Sequence, residues 1–385
     1  MRARFPLTAA GAVVAALGIA GYIGGWRLGW IELMVLAGGS LVALIMGAPF
    51  ILGRMRLDVV RTLAPERVMV GHRSQAILQI RNPTDGRLSS RTVEDQLGEQ
   101  QVVIEVPALG AGASHQAVYK LPTDQRGVVP VGPAVIARQD PLHLFRREVP
   151  QEKADLLWVH PRYTSLRPLP VGFAKDLEGP TSESSPAGDV AFHALREYEA
   201  GDDFRHIHWL STARADKPMV RHYVDNRRPQ VTVVLDNRPS AMEPEQFEVA
   251  VEVAASLGVS AMLAQQPFGL WNADGPVVGR TRPSSRDGLL DRLAEITQDG
   301  AHDLDRAASQ AVTTENGTSV VVVISGAIDP VAMTLLAKDL RRRARTVIAR
   351  IWPPGPTHPT AVPGARTIDA QTLAEFGAAW NRYAR

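Results

Sequence analysis

Cysteine is absent from the 385 residues. That excludes disulfides, thiolate nucleophiles and cysteine-ligated zinc or iron-sulfur centres, and it fits a reducing compartment. Net charge is nearly absent too: 42 Lys and Arg against 40 Asp and Glu leave a formal +2. Although the isoelectric point is about 9.0, bulk charge therefore gives no support to nucleic-acid binding, and no recognised nucleic-acid module occurs. The basic cluster Arg341, Arg342, Arg343 and Arg345 reads as a helix end, where cations meet the negative pole of the helix dipole. Enzyme signatures are missing as well. The chain has no G-x-S-x-G elbow, no H-E-x-x-H, no Walker A sequence and no G-x-G-x-x-G between a strand and a helix. GAGAS at 110–114 sits between strands and reads as a turn, and Asn316-Gly317-Thr318 is a glycosylation acceptor that a cytoplasmic domain would leave unused. What is present is 45% hydrophobic residues, ample for the packed cores of two or three domains.

Two apolar runs open the chain, at about 7–25 and 30–52, each close to the roughly 20 residues that span a bilayer. Residues 1–56 are thus expected to form two transmembrane helices joined by a tight turn around Arg27. Arg2 and Arg4 precede the first run and Arg54, Arg56 and Arg61 follow the second, so the positive-inside bias puts both termini in the cytoplasm of a cell-membrane protein. Tyr22, Trp26 and Trp30 fall at the opposite interface, and Glu32 sits near that same surface.

From 57 to 150, short alternating runs punctuated by Gly, Pro and Asn predict an antiparallel β-sandwich of immunoglobulin-like kind. Its histidines, His72, His115 and His143, are too scattered to be metal ligands. Residues 151–229 read as a connector, extended and rich in Pro, Gly and Ser over 164–190, followed by a dense polar segment. From 230 to 385 apolar strands alternate with helices, ending in a helix over DAQTLAEFGAAWNRY. That pattern predicts a parallel-rich α/β sheet covered on both faces.

The polar segment FHALREYEAGDDFRHIHW at 192–209 carries more charge and aromaticity than a simple amphipathic element needs. Phe192, Leu195, Arg196, Tyr198, Gly201, Asp202, Asp203, Arg205, Ile207, Trp209, Ala213 and Arg214 together resemble the signature of the domain of unknown function 58 family. Further matches are RGVVPVGP at 126–133, QDPLHLFRR at 139–147 and WVHPRY at 158–163. The resemblance implies a von Willebrand factor A-like, Rossmann-related domain over 230–385. It also implies partnership with a MoxR-type AAA+ ATPase, because genes of the family commonly lie beside genes for such ATPases.

Two places invite chemistry. Asp236 ends the first strand of the α/β region, where ligand sites of open sheets gather. Von Willebrand A domains that bind Mg²⁺ carry D-x-S-x-S there, since a carboxylate and two hydroxyls supply hard oxygen ligands. This chain reads Asp236, Asn237, Arg238, Pro239, Ser240, so Asp236 and Ser240 remain as a degenerate site and Arg238 brings a cation of its own to pair with Asp236. Asp329 would have to approach from the helix side. The second place is the signature, where Arg196, Asp202, Asp203, Arg205 and Arg214 form either a network docking the segment on the sheet or a surface for an acidic partner. Two functions follow. One is a non-enzymatic, membrane-anchored adaptor with no cofactor. The alternative is a metal-dependent hydrolase using His193, Asp202, Asp203, His206 and His208.

Overall fold

Two apolar helices begin the chain, α1 (Ala9–Leu28) and α2 (Ile31–Ile51). The computed structural model describes residues 6–51, 57–150, 153–170, 190–199, 202, 204, 207–225, 229–279, 285–314, 318–326, 329–357 and 359–385. The Thr8 side chain caps α1 by accepting from the Gly11 amide, and Gly29, at φ 72°, turns the chain before α2. Arg27 belongs to the last turn of α1, so the turn falls at Gly29 rather than around Arg27. Both helices expose large apolar side chains along their length, including Leu17, Ile19, Val35, Leu36 and Ile45. With 20 and 21 residues, each is about 30 Å long. Such helices are long and apolar enough to cross a bilayer. A third helix, Pro244–Leu263, meets the same criterion of length and composition, but 78% of it is buried, as a core helix should be.

The chain divides into two compact units, Met1–His160 and Pro161–Arg385. After α2, the first unit runs through β1 (Asp58–Ala64), β2 (Arg67–Met69), β3 (Gln75–Arg81), β4 (Arg91–Leu97), β5 (Gln100–Val106), β6 (Ser114–Lys120), β7 (Gly127–Gln139), β8 (Arg146–Pro150) and β9 (Asp155–His160). One sheet has the order β1-β3-β6, the other β2-β9-β7-β4-β5 with β8 also on β7. Pairing is antiparallel except for β2 with β9. Alternate residues meet between the sheets: Val59, Leu78 and Ile80 from one pack with Val93, Ile104 and Ile136 from the other. Strand β9 extends this unit ten residues past the expected boundary at 150.

Arg61 was counted above among the cytoplasmic cations, but its side chain is fully buried. It donates to both oxygens of Asp95 at 3.0 and 2.7 Å, to Asp155 at 3.1 Å and to the Val131 carbonyl at 3.1 Å. Tyr119 hydroxyl also bonds Asp95, and its pKa is pushed up, first by burial and then by that carboxylate. Gly132, at φ 99°, lets the guanidinium approach, since a Cβ there would lie 2.6 Å from its nitrogens. The second glycine of the RGVVPVGP run therefore answers to an ion pair.

The second unit contains β10 (Val190–Glu197), α3 (Trp209–Ala215), β11 (Met219–Asp225), β12 (Gln230–Leu235), α4 (Pro244–Leu263), β13 (Phe268–Asn272), β14 (Gly275–Val278), α5 (Arg286–Glu295), α6 (Leu304–Thr314), β15 (Thr318–Ser325), α7 (Pro330–Leu340), β16 (Arg345–Ile351), β17 (Arg366–Ala370) and α8 (Leu373–Tyr383). Its main sheet has the order β14-β13-β12-β15-β16-β17, parallel but for β14. Val231, Val233, Val320, Val322, Val347 and Ala349 face α4, α5 and α8. The intervening Val234, Val321, Val323 and Ile348 face α6 and α7. The residues that β12 and β15 contribute to both faces are mainly apolar, as a doubly covered parallel sheet requires, and the buried hydroxyls of Thr232 and Thr318 bond one another at 3.0 Å.

Two elements depart from expectation. Asp369 and Ala370 belong to the edge strand β17 and not to the final helix, which begins at Leu373 with Thr372 accepting from the Glu375 amide. The stretch 304–314, not assigned above, is the helix α6. The start of the connector is also fastened down. Arg162 pairs with Glu252 at 2.6 Å, Thr164 N donates to Ser256 at 3.0 Å, and Leu166 N donates to Ser260 at 3.0 Å. Residues two apart on an extended chain thus meet residues four apart on one stripe of α4. The rest of the connector, 171–189, lies outside the described residues.

Candidate functional site

Strand order fixes where a site can form. From β12 the chain moves outward to β13 and β14 on one side, and from β15 to β16 and β17 on the other. The switch point therefore lies between the carboxyl ends of β12 and β15, where open α/β sheets open a crevice. Asp236 follows β12 and Ser325 ends β15; both are fully buried.

The Asp236 carboxylate meets four donors. Arg238 Nε reaches Oδ1 at 2.8 Å and Nη2 reaches Oδ2 at 2.9 Å, a bidentate pair. The Arg238 amide approaches Oδ1 at 3.3 Å, and the Ser325 hydroxyl donates to Oδ2 at 2.6 Å. A carboxylate offers about four lone-pair positions, so protein donors saturate this one. The Arg238 guanidinium is held above its ordinary pKa, chiefly by its hydrogen bond to Asp236, against the cost of burial. Ser240 stands exposed in the following turn. The pairing of Arg238 with Asp236 is the one expected, and the hydroxyl that bonds Asp236 comes from Ser325 on the neighbouring strand. Asp329 is also spent elsewhere: its side chain caps α7 by accepting from the Val331 amide at 3.1 Å. These residues do not fit Mg²⁺. Its place beside the carboxylate is taken by the Arg238 guanidinium.

Asn237, not singled out by sequence reasoning, holds the loop. It is buried, its Oδ1 accepts from the Ala273 amide at 3.1 Å, and its Nδ2 reaches Asp274 and the Thr297 carbonyl at 3.3 Å each. Asp274 in turn pairs with His302 at 2.9 Å and accepts from the Ala301 amide at 3.1 Å. His302 and those bonds hold the Asp274 carboxyl below its usual range. Gly326 completes the closure, because a Cβ there would strike the Ala241 carbonyl and Met242. Beside Arg238 remains a shallow cavity of about 300 Å³, lined by Asp303, Asp305, Arg306 and Met333 among others. Burial raises the Asp305 carboxyl. A larger hollow of about 540 Å³, between Ser165–Pro168 and Asn381, lies away from the strand ends and gathers no catalytic set.

The signature forms a separate hairpin. Strands β10 and β11 pair antiparallel, with a register shift between Phe192 and Ala194. Arg196 donates to both Asp202 oxygens at 2.8 and 2.5 Å, and Asp202 also accepts from the Glu199 amide at 2.9 Å. This pair closes within the signature, six residues apart, rather than docking the segment on the main sheet. Tyr198 stacks on Phe204 with ring centroids 5.4 Å apart. Ile207 is buried and bridges Val220, whereas Phe204, Trp209 and Leu210 are 68, 70 and 62% exposed. Arg214 is exposed in the last turn of α3. His208 caps α3, its Nδ1 lying 2.7 Å from the Ser211 hydroxyl. Two of the five proposed hydrolase ligands, Asp202 and His208, are therefore engaged otherwise. Gly201, Asp203, Arg205, His206 and the His193 side chain lie outside the described residues, as do Arg2, Arg4, Arg54, Arg56 and Asn316. Among the described residues, no three His, Asp or Glu side chains gather as a metal-ligating group.

Residues 194–355 match the family described as Protein of unknown function DUF58. The match supports the DUF58 family. It takes in the signature hairpin from Ala194 onward and the whole switch point, so both candidate places lie inside the matched segment. No curated protein matches the chain. Among solved structures, the CARDB domain of a Pyrococcus furiosus protein, in complex with di-metal ions, is 14% identical, with 28% of this chain and 90% of that one covered and a TM-score of 0.21. A beta-glucosidase from Listeria innocua is 15% identical over 28% of this chain and 16% of its own, at a TM-score of 0.17. Cwp6 from Clostridium difficile is 13% identical over 76% of this chain and 41% of its own, at 0.14.

Proposed function

We propose that this protein is a membrane-anchored, non-enzymatic adaptor that works with a MoxR-type AAA+ ATPase in chaperone-like protein assembly or maturation. The observation that carries the non-enzymatic reading is the saturated Asp236. The crevice where a sheet of this order takes its ligand is closed by the protein's own guanidinium and a strand-end hydroxyl. In this reading α1 and α2 anchor the chain in the cell membrane with both termini in the cytoplasm, and the first unit is an immunoglobulin-like spacer. The second unit is a von Willebrand factor A-like domain whose metal-binding motif is degenerate. The strand order of its six-stranded sheet, parallel but for the edge strand β14, supports that assignment. The signature then serves as the partner face, which the exposure of Phe204, Trp209 and Leu210 supports; aromatic anchors of this kind dominate interface energetics. The ATPase follows from the resemblance of the signature to the DUF58 family.

The experiment is affinity capture of the intact protein in mild detergent, with identification of bound proteins and elemental analysis of the same sample. An AAA+ ATPase retained by the native chain and lost from Trp209→Ala, without stoichiometric metal, is the expected result. A stoichiometric transition metal with no ATPase would overturn the adaptor and favour hydrolytic chemistry at His193 to His208.

A further inference from the structure

The loop joining β7 to β8, residues 140–145, grips the ends of both apolar helices. Ahead of α1, Arg146 N donates to the Pro6 carbonyl at 2.7 Å and Thr8 N donates to the Leu144 carbonyl at 2.9 Å. Leu7 bridges Phe145, and the Thr8 hydroxyl donates to the His143 carbonyl at 2.7 Å. Gly11, in the first turn of α1, is buried against the Leu144 carbonyl, where a methyl group would collide. On α2, a Cβ at Gly47 would lie 3.0 Å from the Phe145 ring and 3.2 Å from an Asp140 oxygen. Arg147 donates to the carbonyl of Ile51, the last residue of that helix, at 3.3 Å. A cation there satisfies an end carbonyl and the helix dipole together.

Asp140 shapes the loop. It is 2% exposed, and its oxygens accept from the Leu142 amide at 3.0 Å and the Phe145 amide at 2.6 Å. His143 adopts a positive φ of 56°. The consequence is that Leu144 is buried while Leu142 stands 58% exposed at the tip. An apolar tip strapped to the start of one spanning helix and the end of the next lies at the level where the bilayer meets water.

We propose that residues 140–147 form a membrane-interface foot, seated among lipid headgroups with Leu142 in the acyl boundary, that holds the β-sheets of the first unit in a fixed attitude to the bilayer. This rests on the reading of α1 and α2 as membrane spans. The occupant of the exposed tip is lipid, because the loop is continuous with the two helices whose ends it clasps.

The cysteine-free chain permits a single-site test. Leu142→Cys, Val35→Cys and Val118→Cys variants of the full chain carry a nitroxide in phosphatidylethanolamine–phosphatidylglycerol vesicles, and accessibility to oxygen and to a water-soluble nickel chelate is compared. Val35 and Val118 are 68 and 54% exposed, on α2 and on β6. The label at position 142 should resemble that at 35, with oxygen favoured over nickel, while the label at 118 shows the reverse. A label at 142 as open to nickel as that at 118, with the label at 35 in lipid, overturns the foot and leaves the anchor standing. A label at 35 that is open to nickel overturns the anchor itself, and the foot with it.

Discussion

Replacing Arg238 with alanine should destabilise the second unit by about 3 kcal/mol. The reasoning starts from Asp236, whose side chain is wholly buried and whose two side-chain bonds from Arg238 are lost in the variant. Removing one partner of a buried pair costs roughly 3–5 kcal/mol, because the remaining charge stays desolvated. The Arg238 side chain is 26% exposed, so water reaches part of the site and the lower end applies. In a unit of this size, each kcal/mol moves the midpoint by about 2–4 °C. Differential scanning calorimetry of the intact protein in detergent should thus show one transition falling by roughly 6–12 °C, with hydrogen exchange locating the loss on β12 and β15. Asp236→Asn combined with Arg238→Ala should recover much of it, since no charge is then left buried. Arg238→Ser adds a discriminating arm. It restores D-x-S-x-S, so Mg²⁺ at a hundredfold excess over its dissociation constant should return about 2.7 kcal/mol, while the native protein gains nothing. A native chain stabilised by Mg²⁺ as much as the serine variant, or an alanine variant that melts with the wild type, would refute the idea that the guanidinium stands where a cation would bind.

In the first unit, Asp95→Ala should cost roughly 3–5 kcal/mol in urea unfolding, because Arg61 and Asp95 are both fully buried; a loss under 1 kcal/mol would mean the pair is dispensable. Gly326→Ala should cost about 1–3 kcal/mol by overpacking against the Ala241 carbonyl and Met242, and an unchanged unfolding midpoint would show that the loop yields freely. Glu252 supplies a pH test. Burial raises its carboxyl above the ordinary 4.5 more than Arg162 lowers it, so its favourable contribution is complete below the unfolded value and is lost as pH rises through the folded one. Glu252→Gln should accordingly equal or exceed the wild type in melting temperature at pH 7 and lose that advantage as pH falls through the raised folded value toward 4.5. An advantage that grows on acidification would reverse the sign.

Much of the α/β region was legible because period and composition agree: VTVVLD and TSVVVVIS carry valine, leucine and isoleucine on both faces, as a covered parallel strand does. The two apolar helices were legible for the same reason, as nothing in water stabilises so continuous a run. Helix α6 was legible in its spacing, since Leu304, Ala307, Ala308, Ala311 and Val312 recur at i, i+3, i+4, i+7 and i+8; three of the five are alanines, so the stripe is periodic but only weakly apolar. The last two residues of β17, Asp369 and Ala370, read as helix because Asp369 precedes an alanine-rich stretch like a cap; its carboxylate instead accepts from Arg350 at 2.7 and 2.9 Å and from the Trp352 indole at 2.7 Å. The pairing of Arg238 with Asp236 could be read because the two are neighbours in sequence. Ser325 could not, since it reaches Asp236 only once β15 is placed beside β12, and 89 residues separate them.

The closed switch point also bears on where specificity resides under the adaptor reading. A ligand entering between β12 and β15 would have to displace a bidentate guanidinium, a buried serine hydroxyl and, through Asn237, the loops at Ala273 and Thr297. Each of those bonds is made within the chain and none needs a ligand, so the crevice is stable as it stands. The signature hairpin is built the opposite way. Its internal bonds, from Arg196 to Asp202 and from Ile207 to Val220, fix the backbone, yet the large side chains Phe204, Trp209 and Leu210 are left in solvent. Apolar area kept exposed on a braced scaffold costs little ordering entropy when a partner covers it. That is why Trp209→Ala is the sharper probe of the adaptor: it removes exposed contact area and leaves the Arg196–Asp202 and Ile207–Val220 bonds among the described residues in place.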